Sequence, residues 1–240
     1  MLKIKNLSAE SELFSPLKNI TLEVKPGEIH AVMGPKHSGK TTLAHALSGH
    51  PAVQITEGDI LIGRKKVQSL EPEERAELGI FQSFQNPPEF DTVSNWEVIE
   101  ETFKSRKAFT SDLPIKYLEY CKLLDLDSSH GEVCPTSLSM LMTHAKRNEV
   151  LHMLMLDPKL VVLDELDEGL SEKDIELVAA VLQDFLEKKD KGCIVITHNQ
   201  QLLKLLNPTH VHVMVNGEIK MSGNSDLYTR IIEDGYSEFS

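Results

Sequence analysis

The chain has 240 residues, 40% of them hydrophobic and 26% charged, with a formal net charge of −12. That length supports one well-cored domain, or a core domain with a subdomain inserted in it. So acidic a chain is a poor binder of nucleic acid and of anionic membrane, and no apolar run approaches the ~20 residues of a membrane span.

Met1-Leu2-Lys3-Ile4-Lys5 alternates like a strand and lacks the apolar core of a signal peptide. Residues 1–33 read as short strands. Ile20–Val24 alternates, Pro26-Gly27 marks a turn, and a strand from Glu28 to Met33 runs into Gly34. Lys40–Ser48 is predicted as a helix with Leu43, Ala44 and Leu47 on one face and Gly49 as its C-terminal cap. Glu57-Gly58 and Ile62-Gly63 bracket a further strand, and Pro72–Leu78 reads as a brief helix. After the break at Pro87-Pro88 the pattern turns helical, most clearly over Ile115–Leu126 and Ser139–Leu156. The apolar Val150–Leu156 stretch is broken by His152 and ends at Asp157-Pro158, so it reads as a core helix. From Leu160 strands and helices alternate: Leu160–Leu163, Glu172–Lys188, Cys193–Thr197, Gln200–Leu206 and Val211–Val215. This predicts a mainly parallel α/β sheet in a single domain over 1–240, with a core of 1–85 and 157–240 and a helical insertion over about 86–156. Cys121, Cys134 and Cys193 are widely spaced with no Cys-x-x-Cys pair, which argues against a disulfide framework and fits a reducing, cytoplasmic compartment.

Gly34-Pro35-Lys36-His37-Ser38-Gly39-Lys40-Thr41 fits the Walker A pattern and lies between a predicted strand and a predicted helix. Such a loop wraps phosphates in backbone amides, and the helix N-terminus behind it adds partial positive charge. Lys40 is placed to reach the β- and γ-phosphates, the Thr41 hydroxyl to ligate Mg²⁺, and Thr42 completes the nucleotide-contacting stretch. Leu160–Leu163 is an apolar strand ending in Asp164-Glu165; there Asp164 suits Mg²⁺ and Glu165 suits polarising a water. His198 follows the strand Cys193–Thr197 and suits a hydrogen bond to a γ-phosphate. Gln85, in Phe84-Gln85-Asn86-Pro87 at the border of the insertion, suits contact with Mg²⁺ and water. The expected ligands are ATP and Mg²⁺. Phe14 is a candidate to stack on adenine. His210 and His212 share one face of a strand, a spacing that suits a metal, but no third ligand stands near them in the sequence. Met140, Met142, Met153 and Met155 read as helix packing, with a partner-binding surface as the alternative, and Cys193 reads as core.

In this order the phosphate loop, Gln85, the strand ending in Asp164-Glu165, the Gly169-Leu170 turn and His198 resemble the ABC ATPases. The finer resemblance is to the SufC-type ATPases of the SUF iron–sulfur cluster assembly system. It is carried by Gly49-His50-Pro51, Thr56-Glu57-Gly58-Asp59-Ile60, Glu74-Arg75-Ala76, Gly79-Ile80-Phe81, Phe84–Glu89, Lys146-Arg147-Asn148-Glu149, Val211-His212-Val213, Asn216-Gly217-Glu218-Ile219, Gly223 and Glu233-Asp234-Gly235-Tyr236. The resemblance implies an α/β P-loop NTPase of the ABC ATPase type: a mainly parallel core, an antiparallel β subdomain and a helical insertion. It implies an ATPase that pairs transiently with a second copy on ATP and binds a SufB/SufD-like scaffold, with no membrane insertion and no nucleic acid.

The sequence departs from that family in three places. Lys36-His37 stands where the family usually has Asn-Gly. Met140-Leu141-Met142-Thr143-His144 stands where the Phe-Ser-Gly-Gly-Glu signature precedes the basic helix. Glu168-Gly169-Leu170-Ser171 replaces Ser-Gly-Leu-Asp. These changes predict slow turnover by the isolated chain. They leave a nucleotide-binding regulatory subunit as the alternative, and a transporter ATPase subunit as a further one.

Overall fold

A computed structural model describes residues 1–84, 92–132 and 142–239, with Met142 described by its backbone alone. Period-two alternation builds the first layer. β1 (Leu2–Glu10) and β2 (Leu17–Val24) pair antiparallel and bury Leu2, Ile4, Leu7, Leu17, Ile20 and Leu22 on one face. β3 (Ile29–Met33) is buried almost throughout and leads through residues 34–39 into α1 (Lys40–Ser48). Gly49 ends α1 in the left-handed conformation, its N–H bonded to the His45 carbonyl.

β4 (Gln54–Ile62) returns to pair with β1. It begins before Glu57-Gly58, the dipeptide expected to open it, because Gly58 sits inside the strand at a break in register with β1. Gly58 has φ 84°, and a Cβ there would stand 2.3 Å from the Asn6 carbonyl oxygen, so the bulge accepts only glycine. β5 (Lys65–Lys66) completes a four-stranded sheet in the order β2-β1-β4-β5. α2 (Pro72–Glu77) follows, and then β6 (Ile80–Gln82), a strand too short to show alternation in the sequence.

α3 (Asn95–Ser105), α4 (Leu113–Leu123) and α5 (Met142–Leu156) lie between β6 and β7 (Leu160–Asp164). A capping box between Ser94 and Glu97 starts α3. α4 starts two residues earlier than Ile115, with Pro114 in its first turn, and stops at Leu123 because Asp125 takes a left-handed φ of 52°. The chain then alternates through α6 (Glu172–Leu186), β8 (Gly192–Ile196), α7 (Gln200–Leu206), β9 (His210–Val215), β10 (Glu218–Gly223) and α8 (Ser225–Asp234). β10 was not among the predicted strands. Its signal is the turn Asn216-Gly217, both residues at positive φ, which closes a tight hairpin with β9.

The second sheet has the order β10-β9-β3-β8-β7-β6, parallel except for β10. Its central strands β7 and β8 are wholly buried, which is why they read as unbroken apolar runs. One face, through Ala31, Met33, Cys193 and Val195, packs on α5, α6, α7 and α8. The other, through Val32, Ile194, Ile196 and Met214, packs on α1 and the antiparallel sheet. Met153 and Met155 are core residues on the helical side, whereas Met140 lies outside the described residues, as does Cys134. Cys121 and Cys193 are buried thiols, pushed up by desolvation to about 11 and about 12, so they are inert at neutral pH. Among the described residues no helix is long and apolar enough to cross a membrane.

Candidate nucleotide-binding site

Parallel strands deliver their C-terminal ends to one rim, where ligands of open α/β sheets bind. At that rim Gly34–Gly39 connects β3 to α1. The loop is anchored from outside itself. Gly34 N–H donates to Tyr236 Oη at 3.2 Å, and Gly217 N–H donates to the Ser38 carbonyl at 2.9 Å. A Cβ on Gly34 would stand 2.0 Å from the Met214 carbonyl oxygen, so the strand–loop junction passes β9 too closely for any side chain. His37, where the resembled family has glycine, adopts φ 61°. The loop thus keeps the left-handed turn and places a bulky residue in it.

Lys40 is 6% exposed, and its ammonium group donates to the carbonyls of Gly34 and Pro35, both at 2.9 Å. Burial pulls its pKa down, opposed by the charges of Glu165 and Asp164. Thr42 Oγ1 donates to the Ser15 carbonyl at 2.6 Å, tying α1 to the segment that holds Phe14. Glu12, Phe14, Lys36, Lys40, Thr41 and Glu165 line a cleft of about 620 Å³ over this loop, within the size range of small-molecule sites. Phe14 meets the His45 ring edge-on at 4.7 Å between centroids, which fixes one aromatic wall beside the cleft.

Asp164 ends β7 with its side chain fully buried, and burial pushes its carboxyl up to about 6. The Thr41 hydroxyl lies close enough to favour the ionised form, yet neither carboxylate oxygen has a hydrogen bond of ordinary geometry among the described residues. A buried carboxylate left in this state is a strong acceptor facing the phosphate loop, and hard oxygen donors of this kind suit Mg²⁺. Its backbone N–H donates to Ser83 Oγ at 2.9 Å. Glu165, the next residue, takes φ 49° with its N–H on the Ile196 carbonyl, so the chain turns sharply at the strand end.

His198 follows β8. Its Nδ1 lies 3.1 Å from Tyr236 Oη, the same hydroxyl that accepts from Gly34. When Tyr236, which already accepts from Gly34, donates to Nδ1, the imidazole proton sits on Nε2, the tautomer that offers an N–H donor to the cleft. Burial lowers the His198 pKa, and the positive charge of Lys40 lowers it further. Asp167 Oδ1 accepts from Thr197 Oγ1 at 2.6 Å and steadies the turn before His198. The structure therefore brings Gly34, Pro35, Lys36, His37, Ser38, Gly39, Lys40, Thr41, Thr42, Asp164, Glu165 and His198 to one rim. Gln85 lies outside the described residues. Just before it, Phe84 is gripped by α5: its N–H donates to Glu149 Oε1 at 2.6 Å, and its carbonyl accepts from Lys146 Nζ at 2.8 Å. Tyr236, Asp167 and the Lys146–Glu149 pair carried no assigned role in the sequence, because each acts through contacts far apart along the chain.

A glycine-anchored loop between a parallel strand and a helix, facing a buried carboxylate at the end of β7, two strands away in the same sheet, defines a P-loop nucleotide-binding protein. Residues 17–167 match the ABC transporter family. The chain is 37% identical to the probable ATP-dependent transporter ycf16 of Trieres chinensis, over 98% of this chain and 96% of that one. It is 36% identical to the probable ATP-dependent transporter slr0075 of Synechocystis sp., over 98% and 94%. The dimeric ATP-binding cassette MJ0796 bound to ADP and Pi superposes with a TM-score of 0.79 at 24% identity, covering 94% of this chain and 99% of that one, and shows the shared fold. The chain belongs to the ABC transporter family and is an ATP-binding cassette protein.

Proposed function

We propose that this cassette hydrolyses ATP as a subunit of a SUF-like iron–sulfur cluster assembly complex, where ATP pairs two cassettes and reshapes a SufB/SufD-like scaffold. The observation that carries the enzymatic part is the buried Asp164 carboxylate beside Thr41 and Lys40, which has no hydrogen bond of ordinary geometry among the described residues. Thr41 and Asp164, with Gln85 by sequence, are the residues to hold Mg²⁺, which would neutralise phosphate charge. The Lys40 ammonium exchanges its two carbonyl partners for phosphate oxygens. Backbone amides of Pro35–Lys40 surround the same phosphates. Glu165 polarises the attacking water, and the His198 Nε2–H donates to the γ-phosphate as charge builds there. The scaffold partner follows from the SufC-like stretches of sequence, and Phe84 supplies the path: it joins Asp164 through Ser83 on one side and α5 of the insertion on the other.

Two observations favour other readings. The altered stretch Met140–His144 favours a subunit that binds nucleotide without hydrolysing it. The names of the relatives favour a transporter ATPase. Steady-state phosphate release with MgATP, with and without co-purified partner, separates these. Release stimulated by a soluble scaffold supports the proposal. No release under either condition leaves the regulatory subunit, and recovery of a membrane protein as the stoichiometric partner leaves the transporter.

A further inference from the structure

We infer that the chain carries a divalent transition-metal site at the opposite rim of the parallel sheet, formed by Glu28, His30 and His210. The three side chains each offer one ligand atom, all within 4.8 Å of one another, and no ion is present. Strand pairing places them there. His30 on β3 lies directly beside His210 on the parallel neighbour β9, and Glu28 immediately precedes β3. The two rings stack at 4.4 Å between centroids with 22° between planes, and His30 Nε2 lies 3.0 Å from Glu28 Oε2. A tetrahedral zinc with bonds of ~2.1 Å needs ligand atoms ~3.4 Å apart. Closure therefore brings the ligand atoms slightly together and turns the half-buried His210 ring out of its stack on His30, so that both lone pairs meet at the ion. Glu28 and His210 are half-buried, which leaves an entry path, while His30 is 1% exposed and fixed in the core.

The surroundings of His30 match those of a metal-bound imidazole. Its other nitrogen, Nδ1, lies 2.9 Å from His212 Nε2, and His212 Nδ1 lies 2.7 Å from Ser222 Oγ. This chain has two complete proton arrangements. In one, Ser222 donates to His212, His212 to His30, and His30 Nε2–H to Glu28. In the other every donor is reversed: His30 Nδ1–H donates to His212, His212 Nδ1–H donates to Ser222, and the Nε2 lone pair is open to a cation. Each ring stays neutral and no buried nitrogen loses its partner. Loading a metal therefore costs a tautomer shift in place of a buried unpaired group. A ligating histidine whose second nitrogen is held by an outer partner is the arrangement protein metal sites use. Two imidazoles with one carboxylate suit Zn²⁺ or Fe²⁺ over Mg²⁺ or Ca²⁺. The site is separate from the nucleotide rim: His30 is near the start of β3 and Gly34 just past its end, four residues on, about 13 Å.

The test is an equilibrium titration of the purified full chain with Zn²⁺ against a chromogenic chelator, with and without saturating MgATP, and a parallel Co²⁺ titration followed by its visible absorption. The expected result is one equivalent bound at micromolar affinity or tighter, unaffected by MgATP. Glu28→Gln and His210→Ala should each weaken it about tenfold or more, with nucleotide affinity and circular dichroism unchanged. If His210→Ala folds poorly, His210→Asn replaces it. Failure to bind one equivalent, or binding that survives both substitutions at full affinity, overturns the site.

Discussion

Lys40 donates to two carbonyls of the loop, which it can exchange for phosphate oxygens. Lys40→Ala removes charge-assisted bonds worth ~1.5–3 kcal/mol each, so ATP affinity should fall about 100-fold in a fluorescence titration while the fold persists. Equal affinity in variant and parent would show that backbone amides alone bind the nucleotide. Glu165→Gln preserves shape and removes the base, so turnover should drop about 10²-fold or more while ATP still binds, as single-turnover phosphate release would show. His37 bears on stability in a different way. A non-glycine residue at φ 61° costs ~1–2 kcal/mol, and glycine returns part of that through its looser unfolded chain. His37→Gly should therefore stabilise the protein by about 0.5–1 kcal/mol in urea denaturation.

At the scale of elements, two helices are held by buried charges that periodicity does not announce. Arg75 of α2 donates to the Ala46 and Leu47 carbonyls at the end of α1, and also to those of Leu70 and Gln68. It acts as a cap supplied from another helix, satisfying carbonyls that α1 leaves open. Arg75→Ala should cost about 2–3 kcal/mol by thermal or urea unfolding, and Arg75→Lys should not restore it, since one ammonium cannot span four carbonyls. On α5, burial pushes Glu149 up to about 7 from 4.5. Between those values the folded protein holds a proton the unfolded chain has released, so this group makes stability fall as pH rises from about 4.5 to 7. Glu149→Gln should flatten that part of the stability–pH curve, and an unchanged slope would show Glu149 ionised throughout. The sequence made the long elements plain: α1 with its Gly49 cap, β7 as an apolar run, and the strand–loop–helix around Lys40. It hid β6, which is three residues long; α8 went unread although Gly223-Asn224 and the Asn224 cap mark its start. It also hid His30 and Glu28 as neighbours of His210, because β3 and β9 come together only through the parallel sheet.

For the whole molecule, the decisive question is what a second copy would present to the bound nucleotide. The stretch expected to supply glycine amides reads Met140-Leu141-Met142-Thr143-His144, and α5 begins at Met142. If the proposed pairing holds, replacing residues 140–144 with Phe-Ser-Gly-Gly-Glu restores about two charge-assisted bonds to the γ-phosphate. ATP-dependent dimerisation by light scattering should strengthen, and turnover should rise by about two orders of magnitude. A parent that already turns over at the rate of the restored variant would mean that another segment supplies those donors.

The turn at Ser237–Phe239 has a practical consequence of its own. Tyr236 bridges Gly34 and His198, and it is latched by Phe239, buried beneath the Arg230 guanidinium, which also pairs with Glu238. The rim of the nucleotide cleft is thus stitched to residues 236–239, which follow every strand of the sheet. A variant lacking residues 236–239 would lose the clasp on the His198 rim while the folded body remained intact, so the proposed turnover would fall ahead of any loss of structure.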